Sequence, residues 1–469
     1  MYIYDSVLKK RVPFEPINNG EAKIYVCGPT VYDDAHLGHA RSSVAFDLLR
    51  RTLIAKGYKV TFVKNFTDID DKIIKKMEQT GKTLKEITEF YIQRYKDEMN
   101  QLGVRDADIE PKATETIEEI ISFIEVLLKK HIAYKINDGI YFDTSKDDRY
   151  LSISHQHIDE SELQARVASN EEKKSQKDFA LWKFKTDNPA EPVYQASFGE
   201  GRPGWHIECS CMIEKFLADK NSTYQIDIHA GGADLLFPHH ENEAAQTRCK
   251  SNQEIAKYWM HNGFVTINNE KMSKSLGNSF FLKDALKKYD GEILRFYLIS
   301  THYRANLNFA EEDLIASKKR LDKLYRLKKR VYNIKESAVS KEFKSALLKA
   351  LSDDLNISKA LAVIDDMISV SNEKLDSNPK EKETKREIVS NINYLNDVIG
   401  IGYKDPYEYF QLGIADELKE KIEKFIEERK EAKKSKDYEK ADEIREKLSK
   451  MNIQLMDTPQ GTQWEKVDE

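Results

Sequence analysis

The run from Lys23 to Val63 constrains the fold more than any other feature of this 469-residue chain. Lys23 to Cys27 reads as a short strand, Gly28-Pro29 breaks it, and Ala40 to Lys56 places Val44, Phe46, Leu48, Leu49 and Leu53 at helical spacing. Tyr58 to Val63 then alternates as a second strand. Strand, glycine-containing turn, helix and strand make a βαβ unit, whose strands belong in a doubly wound parallel sheet. Strand character returns at Tyr224 to Ile228 and at Gly263 to Ile267, with a helix from His239 to Arg248 between them, and these segments are expected to supply the sheet's second half.

The expected architecture is α/β: a Rossmann-like doubly wound parallel sheet with an insertion, followed by a helical bundle and a small carboxy-terminal domain. Residues 1–110 and 201–310 form the Rossmann-type unit. Residues 111–200 are the connective insertion, with a helix over Thr114 to Lys130, a strand near Gly139 to Asp143 and a polar stretch from Asn170 to Lys177. Residues 311–410 are helical, with one apolar face built from Leu314, Leu321, Leu324, Tyr325 and Val331. Ser371 to Lys385 reads as a mobile loop within that part. Residues 411–469 combine charged helical sequence, Asp416 to Met451, with a short strand at Gln454 to Met456.

A net charge of −5 argues against wholesale attraction to polyanions, but Lys318 to Lys335 holds nine Lys or Arg and one acid, Asp322. That face is a candidate surface for RNA phosphates. Cys27, Cys209, Cys211 and Cys249 are too few for a disulfide framework in a chain of this size and are better read as core residues or metal ligands. No run of about 18 apolar residues is present, and Met1 to Pro16 lacks an apolar targeting segment. The chain is therefore expected to be cytoplasmic, with no membrane partner.

Two segments carry nucleotide chemistry. His36-Leu37-Gly38-His39 stands where the first strand gives way to the first helix. A helix amino terminus offers unpaired N–H groups to phosphate, Gly38 lets a nucleotide approach the backbone, and the two histidines can aim donors at one phosphate. Lys271-Met272-Ser273-Lys274-Ser275 is flanked by polar residues and reads as a loop whose ammonium groups could stabilise a departing pyrophosphate. Either segment alone is equally what a solvated surface looks like.

Together they resemble the paired signature of class I aminoacyl-tRNA synthetases. Tyr25 to Thr30, Thr67 to Lys72, Arg202 to Ser210, Phe237 to Glu243 and Asp457 to Thr462 further resemble the cysteinyl-tRNA synthetase family, over nearly the whole chain. Leu37, Phe66, Tyr194, Phe198 and Ala230 depart from the family's usual residues, changing bulk but removing no chemical group. The resemblance implies activation of L-cysteine with ATP to cysteinyl-adenylate and transfer to the 3′ end of tRNA(Cys). It places His36, His39, Lys271 and Lys274 in catalysis, and Thr30, Gly38, His39 and Lys274 around ATP, which Mg2+ accompanies. Thr67, Trp205, His229 and Asp234 are implied around the amino acid, with Asp234 facing its ammonium group.

It also implies one Zn2+ per chain, bound by Cys27, Cys209, His239 and Glu243, with a zinc-bound substrate thiolate giving specificity against serine. His239 and Glu243 are i and i+4, hence on one helix face. The residues by themselves do not choose this set, because Cys211, His240 and Glu241 are equally good donors. Cys211 is read as a packing residue, with a supporting role near the metal left open only if the 209–211 segment is extended and so puts it on one face with Cys209. The carboxy-terminal Asp457 to Trp464 segment offers an indole that could stack on an unpaired base. A monomer is expected. Two other readings stay open: transfer of cysteine to an amino sugar, and an RNA-binding protein without catalysis.

Overall fold

Glu21–Val26 and Lys59–Lys64 pair in parallel, from Glu21 opposite Lys59 to Val26 opposite Lys64, and the helix Leu37–Ala55 connects them. This is the βαβ unit expected from the sequence, seen in a computed structural model that describes residues 1–156, 172–267, 270–271, 280–458 and 461–467. The helix buries Val44, Phe46, Leu48, Leu49 and Leu53 against the sheet.

The second half of the sheet differs from expectation. Tyr224–Gly232 pairs in parallel with Glu21–Val26, but its other neighbour is Glu254–Asn262, not Gly263 to Ile267. Strand order is 254–262, 224–232, 21–26, 59–64. The strand Glu254–Asn262 carries Glu254, Lys257, His261 and Asn262 among its apolar residues, so its hydrophobic pattern is weak. Gly263 follows it, and only glycine fits there because a Cβ would sit 2.5 Å from the Ala305 carbonyl oxygen. Val265–Ile267 instead joins a separate small sheet with Leu307–Phe309 and Glu270–Lys271.

The insertion builds its own antiparallel sheet from Ala133–Ile136, Gly139–Phe142, Phe179–Phe184 and Gly201–Pro203, covered by the helix Ile117–Lys129. After Phe309 the described chain is mainly helical. The proposed loop at Ser371 to Lys385 is not one: Ile357–Ser377 and Lys382–Val398 are continuous helices separated by four residues, 378–381. Ser371 and Leu375 are buried, and the charged residues that suggested a loop occupy the helices' solvent faces.

One apolar core runs through the sheet and the bundle, holding Phe46 and Leu49 together with Leu294, Leu324, Leu361 and Leu395. A buried charge cluster crosses the same boundary. Asp47 accepts from Arg295 Nη2 at 2.5 Å and from Arg51 Nε at 2.7 Å. Those guanidinium groups also donate to the carbonyls of Ile399 and Asn396, each at 2.8 Å. Burial raises the Asp47 carboxyl, but the two arginines outweigh it and hold the group below its ordinary value.

The basic helix Glu311–Arg330 is used largely for packing rather than presented as a free phosphate surface. Lys328 donates to the carbonyls of Gly402 and Lys404 at 2.7 and 2.6 Å, Lys329 pairs with Glu465, and Arg320 and Arg330 pair with Asp365 and Asp376 at 2.6 and 2.5 Å. Lys319, Lys323, Arg326 and Lys335 remain exposed. The last unit has two helices, Asp416–Lys434 and Tyr438–Ser449, and the hairpin Ile453–Thr458 with Gly461–Lys466. Trp464 belongs to its core, 1% exposed, with its indole N–H donated to Glu423 at 2.5 Å, so it is not available to stack on a base. Among the described residues no helix is long and apolar enough to cross a membrane.

Asp47→Ala should lower stability by about 3–5 kcal/mol, because it strands two buried guanidinium groups. A thermal melt tests this. Since the folded pKa is depressed, Asp47's contribution should be present above about pH 4 and be lost as pH falls through the folded value; a melt near neutrality that matches the parent protein would rule it out.

Candidate active site and metal centre

The parallel strands deliver their ends to one side of the sheet. Cys27 directly follows Glu21–Val26, and Gly28 is required next to it, since a Cβ would lie 1.6 Å from the Asn65 carbonyl oxygen. Asn65 Oδ1 accepts from Gly28 N at 2.8 Å, and Thr30 and Thr67 form a parallel bridge beyond the strand ends. Thr67 is buried there.

His36 caps the helix Leu37–Ala55. Its Nδ1 accepts from Gly38 N at 3.1 Å, His39 Nδ1 accepts from His36 N at 3.2 Å, and the two rings stack 3.8 Å apart. With each Nδ1 occupied as an acceptor, a neutral ring carries its proton on Nε2 and becomes a donor there. A Cβ at Gly38 would meet the His36 ring at 2.9 Å, so this glycine makes room for the capping imidazole. Cys27, Thr30, His36, Gly38, His39, Trp205 and Asp234 all line one cavity of about 580 Å3. Lys271 lies in a short strand whose backbone alone is described, and Lys274 lies outside the described residues.

Under the cavity wall the ligand atoms of Cys27, Cys209, His239 and Glu243 lie within 4.8 Å of one another. Cys209 comes from the helix Trp205–Phe216, and His239 from the turn Leu236–His240 that leads into the helix Glu241–Ser251. His239 Nε2 is 3.0 Å from Glu243 Oε1, and the Cys27 sulfur is 3.9 Å from that of Cys209 and 3.8 Å from Glu243 Oε1. A second grouping, Cys27, His229, His240 and Glu243, also comes within that range. The first has two sulfurs, 3.9 Å apart, and so suits zinc better; in the second, His240 Nε2 lies 3.4 Å from the Cys27 sulfur. Glu243 Oε2 is taken by His229 Nε2 at 2.7 Å, and His240 Nδ1 is engaged with His261 Nε2 at 2.8 Å. His229 therefore sits beneath the cavity against Glu243 and does not line it.

Cys209 and Cys211 are not on an extended segment. On a helix, residues two apart point about 200° apart, and Cys211 packs with Ile120, Phe123 and Ile207 in the insertion core, where burial pushes its thiol up to about 12. The variant positions Leu37, Phe66, Tyr194, Phe198 and Ala230 all pack in or against apolar walls. Three histidines not assigned a role from sequence support the centre. His206 Nδ1 meets His239 Nδ1 at 2.9 Å, while His240 and His261 form the pair above; burial keeps all three well below the ordinary imidazole range. His240 is one of the rival donors named from the sequence and His206 lies within Arg202 to Ser210, whereas no motif contains His261.

The electrostatics call for a cation. Burial opposes ionisation of Glu243, yet His239 and His229 hold it down to about 2. Burial also works against a charged His239, but Glu243 and Cys209 raise it to about 10. Cys209 is held down to about 6 against burial, by the hydrogen bond from Cys27 and the charge of His239, while burial and Cys209 keep Cys27 well above its ordinary value. The single positive charge on His239 thus faces one thiolate and one carboxylate and leaves the cluster net negative. Two sulfurs, an imidazole and a carboxylate in this packing fit a tetrahedral metal shell, in which a divalent ion would replace the His239 proton and ionise Cys27 as well. Trp205, 37% exposed, stacks on His239 at 4.0 Å and forms the lid between the centre and the cavity.

A parallel sheet that carries a histidine-capped helix and a cysteine–histidine–carboxylate wall at its strand ends, followed by a helical extension, is the arrangement of a class I aminoacyl-tRNA synthetase. Residues 13–319 match the family "tRNA synthetases class I (C) catalytic domain", residues 346–404 the "DALR domain", and residues 415–464 the "Cysteinyl-tRNA ligase anticodon binding domain". The cysteine–tRNA ligases of Aliarcobacter butzleri and of a Nitratiruptor species are each 64% identical to the chain, over 94% of it and 94% of their own length. The chain belongs to the cysteinyl-tRNA synthetase family. Its fold is shared with the Agrobacterium radiobacter K84 agnB2 LeuRS in ternary complex with tRNA and LeuAMS, at TM-score 0.61 and 13% identity over 86% of each chain. Mycobacterium tuberculosis methionyl-tRNA synthetase in complex with methionyl-adenylate gives TM-score 0.55 at 12% identity, over 85% of this chain and 94% of that one.

Cys209→Ser should lower bound metal well below one equivalent, while Cys211→Ser leaves the stoichiometry unchanged, as measured by plasma mass spectrometry. Equal losses in both variants would refute the assignment. Returning metal to stripped protein at pH 8 should release protons, from His239 and Cys27, so metal affinity should rise with pH through the neutral range; a weakly buffered indicator assay that registers no acidification would contradict it.

Proposed function

We propose that the chain is a cysteine–tRNA ligase, which activates L-cysteine with ATP to cysteinyl-adenylate and pyrophosphate and transfers the cysteinyl group to the 3′ end of tRNA(Cys). The observation that carries this reading is the convergence of Cys27, Cys209, His239 and Glu243 against the same cavity that holds His36 and His39 at a helix amino terminus.

During activation the cysteine carboxylate attacks the α-phosphorus and the bond to the pyrophosphate oxygen breaks. No proton needs to move, so the protein's task is to hold the reactants in line and stabilise charge on the leaving group. His36 and His39 donate from Nε2 to the phosphates beside the helix amino terminus, with Thr30 and Gly38 forming the adjoining wall. Lys271 and Lys274 supply cationic charge to the pyrophosphate, and Mg2+ accompanies ATP. Asp234 faces the substrate ammonium group, Thr67 backs the amino-acid side and Trp205 covers it. In transfer, a terminal ribose hydroxyl attacks the carbonyl carbon, the bond from that carbon to the AMP phosphate oxygen breaks, and the hydroxyl proton passes to the departing phosphate.

The four-residue centre would hold one Zn2+ per chain, which supplies a site that takes a thiolate and rejects a neutral hydroxyl. This separates cysteine from serine more sharply than the roughly 10–200-fold that one methylene provides. His229 keeps Glu243 Oε2 occupied, leaving Oε1 for the ion, and His206 holds the far nitrogen of His239. The matches at 346–404 and 415–464 favour tRNA over an amino sugar as acceptor. Lys319, Lys323, Arg326 and Lys335 are the cations of the basic segment left to meet tRNA phosphates. A cytoplasmic monomer fits this role.

Pyrophosphate exchange should depend on cysteine and not on serine, and the protein should charge tRNA(Cys); exchange with another amino acid would overturn the reading. Lys274→Ala should lower the maximal exchange rate far more than it raises the KM for cysteine. An unchanged maximal rate would remove Lys274 from the leaving-group assignment.

A further inference from the structure

One ammonium group at the edge of the nucleotide cavity has no counter-charge of its own, that of Lys64. It is the last residue of the strand Lys59–Lys64 and lies opposite Val26, the residue before Cys27. Side chains alternate along a strand, so Lys64 shares with Phe62 the face covered by the helix Leu37–Ala55, while Val63 joins the core on the other face. Lys64 Nζ meets that helix at Ser43 Oγ, to which it donates at 2.7 Å, and it also donates to the Tyr95 hydroxyl. Ser43 Oγ gives its own proton to the His39 carbonyl at 2.9 Å, which leaves the Tyr95 hydroxyl as the donor in its 2.8 Å contact with Ser43. Every hydroxyl proton in the group is then committed, and the ammonium is fixed two hydrogen bonds from the backbone of the second histidine. Lys64 and Tyr95 line the cavity together with Gly38, His39 and Ser42.

The charge itself is unmatched. Both partners are neutral, and among the described residues no carboxylate pairs with Lys64. Asp34, an acid of the cavity lining, is already held from outside by Lys283 at 2.5 Å and Arg94 at 2.9 Å. An ammonium has three donors, so one N–H and the full positive charge are left over at a half-buried position, where water screens weakly. The other lysine described in the lining, Lys72, is exposed and lies 5.5 Å from the Tyr32 ring centre. We propose that Lys64 is a phosphate-binding residue for ATP, held by Ser43 and Tyr95 so that its charge adds to the donors of His36 and His39 at the helix amino terminus. An anion is what a fixed, uncompensated cation beside a helix amino terminus recognises. The inference deepens the ligase reading above and rests on it for the identity of that anion, the triphosphate. The metal centre draws on none of these residues.

Lys64→Met keeps the length and apolar stem of the side chain and removes the charge. It should raise the KM for ATP in cysteine-dependent pyrophosphate exchange roughly 10- to 100-fold, the loss expected for one hydrogen bond from a charged group. The KM for cysteine, the bound metal and the thermal midpoint should stay as in the parent protein. Lys64→Arg, which keeps the charge, should recover most of the affinity. Calorimetric titration with α,β-methylene-ATP, which cannot be cleaved between its α- and β-phosphorus atoms, should show the same weakening in Lys64→Met without any reaction taking place. Adenosine, which has no phosphate, should inhibit exchange with the same affinity in parent and variant. A KM for ATP within about twofold of the parent would overturn the proposal. So would equal weakening of adenosine, which would mean a distorted cavity, or equal damage from Lys64→Arg. Failure of the ligase reading is distinct, because the parent protein would then show no cysteine-dependent exchange.

Discussion

Glu243 is the constraint around which the catalytic half is arranged. Its carboxylate is fully buried, and each oxygen has a committed partner, His239 on one side and His229 on the other. A buried carboxylate without compensating positive charge would cost several kcal/mol. Meeting that demand brings together the end of the first strand at Cys27, the central strand through His229, the turn carrying His239 and the helix carrying Cys209. The same demand explains the ring of neutral histidines outside: His206, His240 and His261 supply orientation without adding charge that would compete with a metal.

Beside this buried wall the side of the cavity that holds His36 and His39 is built differently. The two histidines are fixed by backbone hydrogen bonds in a reciprocal cap, so their outward nitrogens are donors before any ligand arrives. Preorganised donors of this kind need no rearrangement as charge develops. Trp205 divides the two regimes, lying flat on His239 and presenting its exposed part to the cavity. One pocket is therefore bounded by two separate sets of residues, the Cys27–Cys209–His239–Glu243 cluster and the capped helix end at His36 and His39.

Continuity between the sheet and the helical bundle has the same electrostatic character. Asp47, Arg51 and Arg295 join the two across a shared apolar core. Similar commitments consume much of the basic helix Glu311–Arg330, where Lys328 and Lys329 brace the loops and the terminal hairpin. A cation counted in sequence is thus not automatically a cation presented to RNA.

What the sequence determined by itself was mostly local or carried by motif. The βαβ unit was legible because its apolar spacing is encoded by near neighbours, and His239 with Glu243 because four residues on a helix make one face. The resemblance supplied the four candidate ligands. Local pattern failed where burial followed from distant contacts: Glu254–Asn262 is a sheet strand despite its polar residues, Ser371 to Lys385 is largely helical despite its charge, and Trp464 is core despite its suggestive motif. Tertiary structure gave the physical reason why Cys209 and Cys211 part, since the helix turns one thiol toward Cys27, His239 and Glu243 and the other into the insertion core. It alone also placed His229 beneath Glu243 and Lys283 against Asp34, because such pairings bring together residues far apart in the chain through packing and charge compensation, which no window of sequence contains.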